Sequence, residues 1–314
     1  MSEENFREIN VDAIDRNPEN PRILFRPNEM SQLMESIRRH GVQVPISVFR
    51  EGKRFVLIDG ERRWRCSIKL NRKTIPALIQ DKPDQLTNLL LMFNIHALRE
   101  QWDLLTIAVK LPRVIELLEN NLGRQPTEKE ISAETGLILG LLRRCKLLMA
   151  LPDKYKRVIL NELQKPKPQQ KLTEDFFIEM ERALKTVERS MPNLVKKLGK
   201  ESMREILISK YKNGTISNRV DFRQVAKIAR AERVGVDRHV AEQSLDHLFN
   251  HEHYTIERAF QESVGFAYDE RDLLTRVCGL TSYIQHFEQS EIDKEIRKAL
   301  EELRNEIDKL LEEE

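Results

Sequence analysis

The sequence predicts a small α+β domain at the N-terminus, followed by an all-α region with a helix-turn-helix and a C-terminal amphipathic helix. Three observations carry this. Strand-like runs are confined to residues 1–82, helical periodicity is almost unbroken from Gln85 onward, and a capped helix and glycine turn fall between Thr127 and Cys145.

Composition agrees with a helix-rich, non-exported chain. Of 314 residues, 53 are Lys or Arg and 51 are Asp or Glu, a formal charge of +2, with 33% charged, 6% aromatic and 11 Gly. Such a mixture favours long exposed helices over a sheet full of glycine turns. The near-cancelling charge excludes a uniformly basic coat or an acidic disordered tail. No window has the apolar length of a membrane helix, and Met1 to Asn10 lacks the apolar core of a signal peptide, so a cytoplasmic protein with no membrane partner is expected. Cys66, Cys145 and Cys278 lie far apart without a CxxC pair. Each is expected to be a small buried side chain rather than a disulfide or zinc ligand.

Taken in order, Met30, Leu33, Met34 and Ile37 share one face of a helix over 28–40, which Gly41 stops. Pro45 to Arg50 and Phe55 to Ile58 form a hairpin about Glu51-Gly52-Lys53, and Thr74 to Ile79 is a third strand. The Lys165 to Pro168 run (KPKP) reads as an extended, solvated linker. The expected domains are 1–84 (α+β), 85–163 (helix-turn-helix), a linker at 164–172, a helical region at 173–290 and an acidic amphipathic helix at 291–314. In that last helix Ile296, Leu300, Leu303, Ile307 and Leu310 make a two-heptad seam, fit either for self-association or for packing within the chain.

The most informative run is Ile58 to Arg65, which leaves a strand, turns at Gly60 and opens a helix carrying Arg62, Arg63 and Arg65. Unpaired helix-start amides, the helix dipole and guanidinium forks together suit a phosphate. The competing reading is a solvated helix start whose arginines pair with Glu61 and its neighbours.

Four motifs in order, Asn20-Pro21-Arg22, Ser36 to Gly41, Pro45 to Val48 and Gly60 to Arg65, resemble the N-terminal domain of ParB-type partition proteins, a fold shared with sulfiredoxin. The resemblance implies a nucleotide-binding module, for CTP or another nucleoside triphosphate. It implies phosphate contacts from Gly60, Glu61, Arg62, Arg63 and Arg65, with Arg22 and Gly41 closing the pocket. It further implies a homodimer, double-stranded DNA and a partner ATPase of the ParA type. Two runs depart from the pattern: Val44 stands where the family often has Gln, and Ile95-His96-Ala97-Leu98-Arg99 replaces Glu-Asn-x-x-Arg. Arg99 is kept as a phosphate ligand, but without the carboxylate Mg²⁺ loses a hard oxygen ligand, which weakens the case for Mg²⁺ and for hydrolysis. Redox repair of the sulfiredoxin kind would need a cysteine at the phosphate loop, whereas Cys66 lies after it on the helix.

At Thr127 a capping box with Glu130 opens a helix, Gly136 turns the chain, and Ile131, Leu137, Leu142 and Cys145 occupy positions buried between crossed helices, with Ser132 at the crossing point. The Leu147 to Pro152 run resembles the end of the ParB-type helix-turn-helix. Residues 123–160 hold eight bases against four acids. The candidates to face DNA are Thr127, Lys129, Ile138, Leu139, Arg143, Arg144 and Lys146, although side chains that typically read base edges are absent from the second helix.

Weaker signals are His247, His251 and His253, read as non-metal, Trp102 as a core anchor, and the basic amphipathic stretch Gly214 to Arg230 as a solvated face. The resulting expectation is a nucleotide-responsive DNA-binding protein of partition or a related regulator. Two alternatives stand beside it: a DNA-binding adaptor that has lost the nucleotide, and a phosphate-acting enzyme (small-molecule kinase or NTPase) using Glu61 as base. Residues 291–314 carry ten acids and five bases, so the other 290 residues sum to +7, and removing the tail should strengthen non-specific DNA binding.

Overall fold

The computed structural model describes residues 5–20, 24–97, 103–287 and 292–311, without the side chains of 94–97. Two compact units divide the chain at Arg182 and Ala183.

In the first unit five strands, β1 (Phe6–Asn10), β2 (Ile14–Asp15), β3 (Ile46–Glu51), β4 (Arg54–Asp59) and β5 (Thr74–Gln80), form a mixed sheet in the order β1-β5-β3-β4-β2. The hairpin β3–β4 is antiparallel, as the sequence predicts, with a register shift at Ser47/Val48. β3 pairs β5 in parallel, and β1 pairs β5 antiparallel. The sequence pattern does not predict the edge strands β1 and β2, because β1 is largely exposed and β2 only two residues long.

Alternation puts Ile9, Ile46, Val48, Leu57, Ile75 and Ala77 in one buried cluster, on which the Trp64 side chain packs. That face anchors α2 (Glu61–Lys69), and α1 (Pro27–His40) packs on α2. Gly41, at φ 73°, ends α1 as expected.

Among the described residues helices then follow without strands: α3 (Gln85–Ala97), α4 (Leu104–Leu122), α5 (Glu128–Thr135), α6 (Leu139–Met149), α7 (Asp153–Gln164) and α8 (Glu174–Ser190), the last crossing the unit boundary. The KPKP segment is not an extended linker. It makes a 3₁₀ turn at Lys167–Gln169 and folds back on α7: Lys171 N–H donates to Glu162 at 2.9 Å, and Leu172 is buried.

The second unit continues with α9 (Pro192–Leu198), α10 (Lys200–Lys212), α11 (Phe222–Ile228), α12 (Arg238–Asn250), α13 (Ile256–Phe260), a π-helical turn at Gln261–Gly265, α14 (Phe266–Ile284) and α15 (Lys294–Leu311). Phe222, Val225 and Ile228 of α11 are core residues, so the 214–230 stretch is held by an apolar face. Lys210 is buried with its ammonium donating to the carbonyls of His251, Glu252 and Tyr254 at 2.6, 2.6 and 2.8 Å, which satisfies the loop after α12. α14 and α15 bury no residue, and Cys278 on α14 is exposed, unlike Cys66 and Cys145. The expectation of three buried cysteines fails there because the helix is exposed throughout from Asp269 onward. No helix among the described residues is long and apolar enough to cross a membrane.

Candidate functional site

The passage from β4 into α2 turns at Gly60. Its φ is 97°, and a Cβ there would stand 2.6 Å from Ile46 Cγ2, so glycine is required on two counts. Successive residues on α2 then point about 100° apart, which spreads the charged run over the whole helix.

Glu61 points inward and is almost fully buried. Its Oε1 accepts Arg65 Nε at 2.8 Å and Nη2 at 2.6 Å, and Arg16 Nε lies 3.2 Å from the same atom. The Asn20 amide donates to Oε2. A carboxylate so engaged is an anchor for two guanidinium groups rather than a base open to substrate. Arg62 turns toward Glu29 on α1, at 3.4 Å. Arg63 folds back, donating to the carbonyls of Val44 and Pro45 at 2.6 Å each and pairing with Asp59 at 2.9 Å. It is a strut that ties the helix start to the entry of β3.

A cavity of about 510 Å³ opens between α1 and α2, beyond the helix start. Phe25, Met30, Met34 and Ile68 give it an apolar floor, and among the described residues its charged lining is Arg16, Arg65 and Lys69, with no acid. Arg65 also lies over the Phe25 ring, 4.2 Å from its centroid. The expected convergence of arginines at the first amides therefore changes: of Gly60, Glu61, Arg62, Arg63 and Arg65, Arg65 alone lines the cavity. Gly41 is not among its walls either. Arg22, Arg99 and Trp102 lie outside the described residues, as do the side chains of Ile95 and His96.

The helical pair is built as its spacing requires. Thr127 Oγ1 accepts the Glu130 N–H at 3.3 Å, and Glu130 accepts the Thr127 N–H at 2.8 Å. Arg124, together with this cap, pulls the Glu130 carboxyl down to about 2. Gly136 turns at φ 71°, and Ile131, Leu137, Leu142 and Cys145 are buried between the helices. Ser132 Oγ donates to the Leu137 carbonyl at 2.6 Å, closing the turn. Burial pushes the Cys145 thiol up to about 12, so it packs and does not react.

On the outer side Lys129 is exposed, Ile138 is 72% exposed and Leu139 is half-buried. Arg143 and Lys146 share Glu128 at 2.9 and 3.0 Å, and Arg144 pairs with Asp175 on α8. Thr127 is occupied by its cap. Exposed pairs of this kind cost little to open for a phosphate.

Between the two sites stands Arg26, the residue before α1. Its guanidinium reaches Glu29 at 3.1 Å, Asp103 at 2.5 Å and the Leu163 carbonyl at 3.4 Å. Asp103 is the N-cap position of α4, the helix that packs on α6. Glu174, opening α8, accepts the Leu105 N–H at 2.6 Å, and its burial raises its carboxyl to about 7.

In the second unit His247 stacks edge-on against His251 and Tyr254, with centroids 5.3 and 5.9 Å apart. No group of three metal-ligating side chains occurs among the described residues.

The family model described as the ParB N-terminal domain matches residues 1–95. A nucleoid occlusion protein of Geobacillus thermodenitrificans is 30% identical over 200 residues, which cover 56% of this chain and 70% of that protein. The chain belongs to the ParB family. A probable chromosome-partitioning protein ParB of Pseudomonas putida is 31% identical over 161 residues, 51% of this chain and 53% of that one. The chain thus spans about half the length of several curated ParB relatives it matches. A solved structure of C-terminally truncated ParB from Caulobacter crescentus, complexed with CTP-gamma-S, is 26% identical and covers 52% of this chain and 89% of that one, with a TM-score of 0.29.

Sequence reasoning missed Arg16 and Arg26, isolated cations in loops with no motif around them. It also missed the seam of α14 and the turn after it, where Leu273, Val277, Leu280, Ile284 and Phe287 repeat in steps of four and three, all exposed. That signal was legible as a heptad seam.

Proposed function

We propose that this ParB-family chain is a DNA-binding protein of the partition type whose N-terminal domain senses a nucleoside triphosphate, with CTP the first candidate. The observation that carries the reading is the acid-free, cation-lined cavity between α1 and α2. Clefts of one charge sign concentrate anions, and the cavity volume is in the range of small-ligand sites.

The path to DNA is short. Arg62 holds Glu29, Glu29 holds Arg26, and Arg26 holds Asp103 at the head of α4, on which α6 rests. A ligand seated between α1 and α2 that shifts one helix against the other alters the Arg62–Glu29 contact across them, and with it the grip of Arg26 on α4. DNA phosphates are met by Lys129, Arg143, Arg144 and Lys146, while Ile138, at the head of α6, offers an apolar contact such as a thymine methyl accepts. The seams of α14 and α15, bare in one chain, support a homodimer, because a 3.5-residue repeat fits a helical partner. The partner ATPase implied by the resemblance belongs to the same proposal.

Mg²⁺ does not fit as a resident ion of this site. Glu61, the buried carboxylate nearby, is taken up by two guanidinium groups and an amide, and the described residues that line the cavity include no acid. Nucleotide binding that survives a chelator is expected.

Titration of the four ribonucleoside triphosphates by calorimetry, with parallel anisotropy of a labelled duplex, tests the reading. Binding of at least one triphosphate and a matching change in DNA retention supports it; DNA retention indifferent to all four overturns it. A nucleotide-free DNA-binding adaptor is the second reading, favoured by the intramolecular partners that Arg62, Arg63 and Arg65 already have.

A further inference from the structure

We infer that Arg16 is an anion-binding residue of this chain. With Arg65 it forms a guanidinium pair, hinged on the buried Glu61 carboxylate, that takes a phosphate of the ligand in the α1–α2 cavity. The inference rests on the nucleotide reading for the ligand's identity, but not for its charge.

Arg16 is held in place from both sides. It follows β2, which pairs with β4 at Ile14 and Asp15. It precedes buried Asn17, whose side chain accepts the Glu19 N–H at 2.9 Å and whose carbonyl accepts the Asn20 N–H at 3.0 Å. The chain around it is therefore set before any ligand arrives, which lowers the ordering cost of binding.

The charges around it do not balance. One carboxylate oxygen of Glu61 serves both Arg16 and Arg65, at 3.2 and 2.6–2.8 Å. Glu61 carries one negative charge against two positive ones, and the remaining charged residue lining the cavity is Lys69. Two guanidinium groups crowded on one oxygen repel each other, and a bound anion removes that repulsion.

The geometry of the fork is suited to the task. Arg16 engages Glu61 through Nε, and its two terminal nitrogens make no hydrogen bond among the described residues. Those are the atoms that grip phosphate oxygens in a bidentate contact. Arg65 spends Nε and Nη2 on Glu61, is braced by the Phe25 ring, and keeps Nη1 in hand. Below the pair lie Phe25, Met30, Met34 and Ile68, which suit a flat, weakly polar body. The ligand class that meets both halves is a nucleotide, with its phosphates at Arg16 and Arg65.

The test uses the full chain and two probes, inorganic tripolyphosphate for the charge and CTP for the nucleotide. Wild type should bind tripolyphosphate, Arg16→Ala should weaken it by about tenfold, and Arg16→Lys should recover part of the loss, since charge returns without the fork. Far-UV circular dichroism and melting of the variants, expected to match wild type, rule out a folding cause. Equal tripolyphosphate binding by wild type and Arg16→Ala, or none by wild type, overturns the assignment. If tripolyphosphate shows the expected loss and CTP does not bind, the Arg16 site stands and the nucleotide reading fails.

Discussion

Arg26 and Asp103 meet at 2.5 Å, joining the residue that precedes α1 to the N-cap position of α4. Because Glu29 bridges Arg26 to Arg62, a helix that carries the family motif and a helix that supports α6 share one ionic chain. Replacing Arg26 by Ala should leave nucleotide affinity unchanged while abolishing the nucleotide-dependent change in DNA retention. Calorimetry and duplex anisotropy on the same preparation read the two quantities separately. A variant that still responds to nucleotide would show that coupling takes another route.

Gly60→Ala should destabilise the first unit by about 2–4 kcal/mol, since a left-handed φ and a clash with Ile46 act together. Urea unfolding followed by tryptophan fluorescence is the measurement. An unshifted midpoint would mean the turn relaxes easily.

Glu174 titrates near 7 in the folded protein against an ordinary value of 4.5, because burial penalises its charge. The folded protein holds that proton more tightly than the unfolded chain, so its contribution is fully present below about 4.5 and falls as pH rises to about 7. Glu174→Gln, which can still accept the Leu105 N–H, should flatten this slope. At pH 8 it should exceed wild type by up to about 3 kcal/mol, with near-equality at about pH 4.5. Denaturant midpoints across that range decide it, and parallel curves for the two proteins would refute it.

Arg143→Ala and Lys129→Ala should each weaken binding to any duplex and lower the slope of log affinity against log salt by about 1. Ile138→Ala should leave the slope unchanged and alter sequence preference instead. Titrations at several salt concentrations separate these outcomes; an unchanged slope for Arg143→Ala would remove it from the DNA face.

Leu280→Glu on α14 and Leu303→Glu on α15 should each convert a dimer to a monomer, measured by sedimentation. Both side chains are exposed in the single chain, so folding of the monomer is not at stake. Wild type sedimenting as a monomer at all concentrations would dispose of the dimer.

Much of this protein was determined by its sequence alone. The hairpin at 46–59, the helix stop at Gly41, the turn at Gly60 and the capped pair about Gly136 follow from local rules: alternation, capping, and glycine where φ is positive. Those rules act over a few residues and leave a trace in any window that contains them. What tertiary structure decided is where side chains on one helix end up. Arg62, Arg63 and Arg65 are neighbours in sequence, yet helical rotation sends one to Glu29, one to the β3 carbonyls and one to Glu61. Arg16, 45 positions before Glu61, joins that site because β2 closes the sheet edge beside β4. The chain after the KPKP run folds back on Glu162 through Lys171, and Cys278 stays bare because α14 is exposed from Asp269 onward. Side-chain partners across long stretches of chain depend on which surfaces the sheet and helices bring together, and no local pattern encodes that.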